Sequence, residues 1–480
     1  MIVKRILPYL GAILAILGLS MFFPMLVGYI DGDRYTLVFA LLGAAGFIAG
    51  AGLYTGFRGA EDVTSRDAYL LVTMTWLVAG AYGSLPYLCC GVIPDFSKAF
   101  FESIAGFTTT GVTAMADLES VERSVLLWRS MTFWLGGLGI VVLFVSILSM
   151  LGNSGLQMFR AETTGPFKEK VAPRIKETAK ILWLTYIILT VVMILTLLAA
   201  GMTLFDAVCH AFGTISTGGF STRNDNISAF GPAIRIILAF FSMISGLRID
   251  LYYTAFKERS LKPFWRNEEL RVYLGIILVT VLITAAALSA GGLRVSTALI
   301  ESYVQLTSAI TSTGFISTDY TIWPPIGQFM ILILPFIGAC AGSTGGGLKV
   351  GRVLILTKEI RSTLTRVLHP RAVVNPRING RVITTEALAP IQSFFFIYII
   401  ITAFSTLLFC LAGYDMLTSF SVVSACINNV GTAFGKLGPL INYSAMPTWS
   451  MYFLPLLMLF GRLELFTILV LFSKGFWQDN

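Results

Sequence analysis

Four short polar loops, each built round a glycine, interrupt a chain that is otherwise strongly apolar. They read TTTGVT (Thr108–Thr113), STGGFST (Ser216–Thr222), TSTGFIST (Thr311–Thr318) and NNVGTA (Asn428–Ala433). Aligned on Gly111, Gly219, Gly314 and Gly431, they recur roughly every hundred residues, the mark of an internally repeated chain. Twelve positions before each glycine stands a small residue: Ala99, Ala207, Ser302 or Ser419. Three positions before it stands Thr108, Ser216, Thr311 or Asn428, each able to hydrogen-bond through its side chain. The moderately apolar segment leading into each loop is about ten residues long, too short to cross a bilayer, which takes about 20.

The surroundings are membrane-like. Of 480 residues, 56% are hydrophobic and only 12% charged, against about 25% charged in soluble domains. Mean hydropathy is +0.79. Apolar runs of spanning length include Ile181–Leu198, Tyr273–Ala290, Phe394–Leu411 and Met451–Phe472. The composition therefore indicates a polytopic membrane protein in contact with lipid. The net charge of +8 does not imply nucleic acid, because Lys and Arg gather in connectors, as they do in cytoplasmic loops. Arg352–Arg381 carries Arg352, Lys358, Arg361, Arg366, Arg371, Arg377 and Arg381 against Glu359 alone, and Arg160–Lys180 and Lys257–Arg271 are also basic. Asp31–Asp33 and Asp95–Glu122 lean acidic. This alternation predicts an even number of spans with both termini cytoplasmic. The N-terminal run to about Ile30 is too long for a signal peptide and reads as the first span. The six cysteines form no framework pattern and are expected to be reduced, packed thiols.

The repeated unit reads as span, half-helix, polar loop, span. The spans and half-helices fall at Tyr69–Leu88, Ser97–Phe107 and Val125–Leu151; Ile181–Ala200, Phe205–Ile215 and Pro232–Phe256; Leu270–Ala290, Ser296–Ile310 and Pro324–Leu356; and Glu386–Leu411, Met416–Ile427 and Pro447–Phe472. Two further spans, about Ile6–Ile30 and Tyr35–Phe57, precede them. The expectation is an all-α membrane protein of ten full spans and four half-spans. Its parts are two N-terminal helices (1–66) and four tandem M1–P–M2 repeats like those of K⁺ channels (67–178, 179–268, 269–382 and 383–480).

Irregular backbone at membrane depth must line a water-filled cavity or be buried in protein. Four such loops in four similar units can converge on one pseudo-fourfold axis and present carbonyls to a common centre, where they replace the hydration shell of a cation. Glycine permits the positive φ that aims consecutive carbonyls one way, and the partly negative C-terminal ends of four half-helices favour a cation there. The candidate filter residues are Thr109, Thr110, Gly111 and Val112; Thr217, Gly218, Gly219 and Phe220; Ser312, Thr313, Gly314 and Phe315; and Asn429, Val430, Gly431 and Thr432. The candidate carbonyls are those of Thr110, Gly111, Gly218, Gly219, Thr313, Gly314, Val430 and Gly431. The competing reading of any one loop is a small-residue helix contact, which four matching loops disfavour.

These loops, the two extra N-terminal spans, AGSTGGGLKV (Ala341–Val350) and FGRLELFTILVLF (Phe460–Phe472) together resemble the Trk/Ktr/HKT superfamily of potassium transporters, closest to its bacterial TrkH branch. The resemblance covers nearly the whole chain. It implies a K⁺-conducting pore in each subunit of a homodimer in the bacterial inner membrane, and a cytosolic TrkA-like, nucleotide-binding RCK-type ring. K⁺ is then the bound substrate, and no cofactor is expected in this chain.

PFIGACAGSTGGGLK (Pro335–Lys349) breaks the second span of the third unit, because five glycines in fifteen residues oppose a helix at about 1 kcal/mol each. It is no nucleotide P-loop, since the Gly-Lys-Ser/Thr order is absent. The resemblance implies an intramembrane gate of Gly338, Gly342, Ser343, Thr344, Gly345, Gly346, Gly347 and Lys349. Lys349 and Arg352 either couple this loop to a partner or anchor it at the cytoplasmic face. Arg462, read as lying well inside an apolar span, has two readings: a positive charge obstructing the lower pore, as the family's matching arginine suggests, or half of an ion pair. RIDLY (Arg248–Tyr252) echoes RLELF (Arg462–Phe466) and departs from the family pattern. Arg248 and Asp250 face a dimer interface, pair with Glu464 and Arg462, or mark altered regulation. His210 either serves the outer vestibule or packs with a hydrogen bond. Asp95, Asp117 and Glu119 either concentrate cations or are simply solvated.

The leading function is gated K⁺ uptake. The alternatives are a Na⁺- or NH₄⁺-permeating relative, and an H⁺- or Na⁺-coupled K⁺ symporter, which calls for buried titratable groups beside the loops. A glycine at every filter position favours K⁺. With only His210 and His369 available, and with no nucleophile–base pair, the chain does not read as an enzyme.

Overall fold

The computed structural model describes residues 2–57, 64–139, 175–372 and 374–478. Residues 140–151 of the first outgoing span, and most of the basic connector 160–180, lie outside the described residues. Among the described residues, six helices are long and apolar enough to cross a bilayer: Val3–Asp31, Thr36–Gly56, Arg66–Cys89, Lys180–Ala199, Glu268–Ala290 and Glu386–Leu411. Their outward faces stay apolar, as with Leu184, Ile188 and Leu195 on one of them, because the medium beside them is lipid.

The first two of these form a hairpin packed on glycine. Gly18 lies against the backbone of Gly43 and Phe47, and Gly50 against that of Gly11 and Ala15. Removing the side chains lets the two helix axes approach, which substitutes packing for the hydrophobic drive that lipid does not supply.

Four shorter helices follow, Phe96–Phe107, Leu204–Ile215, Val295–Ile310 and Met416–Ile427. Each stops just before one of the polar loops. Three begin on a side-chain cap, in which Asp95 accepts from Ser97 N, Thr203 from Asp206 N and Asp415 from Thr418 N. Each is preceded by a long helix, and each loop is followed by an outgoing helix: Arg123–Gly137, Pro232–Ser245, Pro325–Ile337 or Thr448–Arg462.

The outgoing helices are shorter than the sequence predicts. The span expected over 232–256 ends at Ser245 and restarts as Ile249–Glu258. The span expected over 447–472 ends at Arg462, and the chain turns by 112° into Phe466–Phe472. Against the ten full spans expected, six helices among the described residues have spanning length and composition, or seven if the bent pair is one span, and the span expected over 125–151 runs into residues outside the described ones. The reason for the bend is local backbone. Glu464 takes φ +53°, which ends an α-helix outright, although the residues on either side remain apolar. Arg462, expected inside a span, is the last residue of its helix. The chain is also not wholly α-helical. Arg377–Ile378 pairs antiparallel with Arg381–Val382 across Asn379-Gly380, whose φ values of +49° and +77° make the two-residue turn that favours a hairpin.

The cysteines are unpaired. Cys90, Cys209, Cys340 and Cys426 are buried, Cys410 is half-buried and Cys89 is exposed.

The glycine hairpin carries a test. Gly50→Ala forces a methyl into the Gly11 carbonyl and the Ala15 amide, and overpacking of this kind costs about 1–3 kcal/mol. Gly52, on the same helix, faces open space. Thermal unfolding in detergent is expected to show Gly50→Ala destabilised and Gly52→Ala unchanged or slightly stabilised.

A candidate cation filter and gate

The four short helices end in the same way. In the first, Thr109 N donates to Gly106 O (3.0 Å) and Thr110 N to Ala105 O (2.9 Å). The others repeat the pair: Thr217 to Thr214 and Gly218 to Gly213, Ser312 to Ala309 and Thr313 to Ser308, Asn429 to Cys426 and Val430 to Ala425. This is a Schellman termination, which uses the orphan carbonyls of the last turn and requires a left-handed residue after the cap. That residue is Thr109, Thr217, Ser312 or Asn429, with φ between +53° and +57°. Glycine is the usual occupant, so four polar side chains there call for a further reason.

Two residues on, Gly111, Gly219, Gly314 and Gly431 take φ from +78° to +83°. The place that a Cβ would occupy at Gly111 is filled by the Gly218 carbonyl oxygen, at Gly219 by that of Thr313, at Gly314 by that of Val430, and at Gly431 by that of Thr110. The contacts run from the first loop to the second, third and fourth, and back to the first. The carbonyls before the four glycines thus form one closed ring, with no room for any side chain at the glycines. Val112, Phe220, Phe315 and Thr432 are buried. Phe220 packs on Phe133 at 3.9 Å between ring centres, and Phe315 stacks on His210.

Side-chain hydrogen bonds brace the loops. Thr108 and Thr110 share a hydroxyl contact of 2.8 Å, and Thr311 and Thr313 one of 2.7 Å. Tyr398 donates to Asn428 Oδ1 at 2.6 Å. One turn back, Glu102 accepts from Ala114 N, Gln305 Oε1 accepts from Ser317 N, and Ser421 Oγ accepts from Phe434 N. His210 does the corresponding work through Ser221 Oγ, while its Nδ1 meets the Asp206 carbonyl. His210 is fully buried, so its place is the packed, hydrogen-bonded one. Asp117 is exposed in the loop past Gly111 and accepts from Asn224, which holds its carboxyl below the ordinary Asp range. Asn224 in turn accepts from Leu118 N, so the pair joins two loops and holds a negative charge beside them.

The glycine-rich segment lies against the opposite side of the ring. Between Ile337 and Val350 the chain is not helical, and Gly338, Gly342 and Gly347 take φ of +72°, +78° and +76°. Gly345 meets the Thr311 carbonyl, Gly346 meets the Asn428 carbonyl, and Gly346 N donates to Ser312 Oγ. The rest of the segment docks on the break after Ser245. Cys340 N donates to Gly246 O (3.0 Å), Ile249 N to Gly342 O (3.3 Å), and Thr344 Oγ1 to Ile215 O (3.2 Å). Gly342 is exposed and Ser343 half-buried.

Arg462 spans three of these elements. It donates to Thr344 O (2.8 Å), Gly136 O (2.6 Å), Gly137 O (2.5 Å) and Thr109 Oγ1 (3.4 Å). A cation at the C-terminal carbonyls of a helix is favourable, and here it also reaches a left-handed loop residue. Asn429 Nδ2 similarly links Thr110 Oγ1 and Met458 O. Thr109, Ser312 and Asn429 are polar because each holds a neighbouring element that glycine could not hold.

The charged groups around this segment find local partners. Lys349 and Arg352 are both buried. Lys349 Nζ donates to Gly345 O, and Arg352 pairs with Glu464 at 2.6 Å. Arg248 and Asp250 do not pair with Glu464 or Arg462. They pair with each other at 2.7 Å, and Arg248 approaches Glu269 at 3.8 Å, whose Oε1 accepts from Ala341 N at 2.6 Å. The echo of RLELF by RIDLY is still structural, because each follows the end of an outgoing helix.

Sequence reasoning missed Arg129 and Glu102. Arg129 Nε meets Glu102 Oε1 at 2.7 Å, and its guanidinium lies 3.3 Å from the ring centre of Phe220. Arg129 is 2% exposed and Glu102 0%. A lone arginine in the apolar run LLWRSMTFW was the available signal. Glu102→Ala leaves the Arg129 charge buried and unpaired, and is expected to destabilise the chain by about 3–5 kcal/mol, read as a drop in thermal midpoint. Glu102→Gln, which keeps the hydrogen-bond shape, should lose less.

The chain is similar along its whole length to known proteins. Residues 37–480 match the TrkH family, described as cation transport protein. The Trk system potassium uptake protein TrkH of Escherichia coli K12 is 38% identical over 483 residues, covering 99% of both chains. That of Salmonella typhimurium is 38% identical over 486 residues, again 99% of each. The crystal structure of the potassium transporter TrkH from Vibrio parahaemolyticus superposes with a TM-score of 0.89 at 33% identity, covering 100% of both chains. The full-length identity, the family match and the shared fold agree: the chain belongs to the TrkH family of cation transport proteins.

Proposed function

We propose that this chain is the membrane subunit of a potassium uptake system, a gated pore in which the four polar loops select K⁺. The observation that carries this reading is the closed ring of Thr110, Gly218, Thr313 and Val430 carbonyls, each against the glycine of the loop before it. A ring of carbonyl oxygens at the ends of four short helices replaces a cation's water shell and adds the negative ends of their dipoles. Each long helix, short helix, loop and outgoing helix is then an M1–P–M2 repeat around a pseudo-fourfold pore. The relatives are Trk system potassium uptake proteins, which favours K⁺ over Na⁺ or NH₄⁺ as the main substrate. The same kinship supports a bacterial inner-membrane location with both termini cytoplasmic, a homodimer and a TrkA-like cytosolic ring that binds nucleotide.

The gate is the segment Gly338–Lys349 together with Arg462. Gly345 and Gly346 stand against the base of the ring, and Arg462 ties Thr344 to Thr109 and to the end of the first outgoing helix. A positive charge beside the path opposes cations, so withdrawal of this segment with Arg462 opens the pore.

Cation flux into proteoliposomes under opposed K⁺ and Na⁺ gradients tests both halves. Gly314→Ser places a side chain where the Val430 carbonyl stands, at a φ of +78°, and is expected to lower the K⁺/Na⁺ flux ratio by about tenfold, equivalent to 1.4 kcal/mol. An unchanged ratio overturns the filter. Arg462→Ala removes four hydrogen bonds from the gate and is expected to raise K⁺ flux of the chain reconstituted alone, again by about tenfold. Flux that stays at the wild-type level removes Arg462 from the gate.

A further inference from the structure

The four loops are joined a second time, outside the carbonyl ring. Two or three residues past each glycine, a backbone carbonyl accepts a hydrogen bond from the segment that follows the preceding loop. Arg129 Nη1 donates to Ser221 O (3.1 Å) and Arg235 Nη1 to Ser317 O (3.4 Å). Tyr320 Oη donates to Ala433 O (2.8 Å) and Tyr443 N to Thr113 O (2.8 Å). These bonds run first to second, second to third, third to fourth and fourth to first, the same sense as the contacts between glycines and carbonyls. They form a closed girdle around the loops.

We infer that Arg129, Arg235 and Tyr320 are specificity-determining positioning residues, whose girdle sets the aperture of the carbonyl ring. The inference rests on the filter reading given above. A carbonyl ring prefers one cation over a smaller one only as far as its oxygens are kept from closing in, or keep their number around the ion. The ring's own backbone is held along each loop by the Schellman bonds, which do not cross between units. The girdle crosses at all four junctions, whereas other side-chain links such as Asn429 to Thr110 and Asn224 to Leu118 join single pairs of loops. Each donor ties the limb that follows the glycine of the next loop to its neighbour, so one loop cannot shift without straining a bond to the loop before it.

The chemistry of the donors points the same way. Tyr320 is fully buried and packs on Phe434, 5.0 Å between ring centres, so its hydroxyl is aimed at one carbonyl. Arg129 and Arg235 are cations with acids beside them, Glu102 at 2.7 Å and Glu301 at 2.6 Å. Apolar side chains of similar volume generally stabilise such positions at least as well as buried ion pairs do. Bulk stability therefore does not account for two charged pairs around the loops, whereas fixed donors to defined carbonyls do. The fourth bond comes from a backbone amide, so three side chains are open to substitution.

The test reads cation binding, so it does not depend on the pore opening. The full chain in detergent is titrated with KCl and with NaCl at constant ionic strength. The rise of the thermal midpoint with concentration is fitted for each ion to ligand linkage, which gives the concentration equal to its Kd. The ratio of the two concentrations is internal to each sample and unaffected by the amount of folded protein. Tyr320→Phe removes one hydroxyl and is expected to lower the preference for K⁺ over Na⁺ by at least about threefold, the scale of one hydrogen bond. Arg235→Met combined with Glu301→Gln removes the Nη1 that donates to both Glu301 Oε1 and Ser317 O, leaves no unpaired acid, and should shift the ratio in the same direction. It replaces Tyr320→Phe should that variant fold poorly. If both variants keep the wild-type ratio while Gly314→Ser lowers it, the girdle is overturned and the filter stands. If wild type prefers neither ion, or Gly314→Ser changes nothing, the filter reading fails and the girdle falls with it.

Discussion

An amide or carbonyl that leaves a helix inside a membrane has no water to turn to, and the architecture around the four loops answers that constraint. Each short helix closes its last turn with the same two backbone bonds, which satisfies the amides that follow the cap while leaving the next carbonyls unused. Those carbonyls meet the glycines of the neighbouring loops. The termination has a cost, because a left-handed non-glycine residue is strained by about 1–2 kcal/mol. Four such residues, at Thr109, Thr217, Ser312 and Asn429, persist because packing on every side over-determines them.

The same constraint explains where the buried charges lie. Arg129 and Arg462 sit within or at the end of outgoing helices and Arg352 at the start of the helix after the glycine-rich segment, and each is met by an acid or by carbonyls. None faces lipid. The outgoing helices end early, and their ends expose carbonyls that a guanidinium fork satisfies well. The glycine-rich segment and the breaks after Ser245 and Arg462 form one contiguous layer. Through Glu269, Arg248 and Gly246 that layer is also connected to the incoming helix of the third unit.

Membership of the TrkH family and the carbonyl ring bear on different questions. Kinship identifies the chain as a cation transport protein, and the ring is what supports the proposal that this chain's own loops select the cation. Seen together, the polar left-handed residues have a double use. They permit the filter turn, and through Thr109 and Ser312 they touch Arg462 and Gly346, the elements assigned to gating. In the proposed function, a shift in the glycine-rich segment has a direct mechanical route to the base of the carbonyl ring.

By itself the sequence determined the membrane class, the four loops and their glycines, the half-helices and the break at the glycine-rich segment. Each of these depends on local composition or on a period, because apolar length, glycine content and repeat spacing act within a stretch of chain. Only the tertiary structure decided the rest. Where the outgoing helices end, and the two-strand turn at Asn379-Gly380, turn on single residues that a hydropathy window averages away. That Arg352 meets Glu464, that Arg248 meets Glu269, and that Arg129 reaches Ser221 depend on which helices lie side by side. Burial decided the partners, since a charge inside a membrane must find whichever opposite group or carbonyl the fold brings within reach, and sequence distance carries no record of that choice.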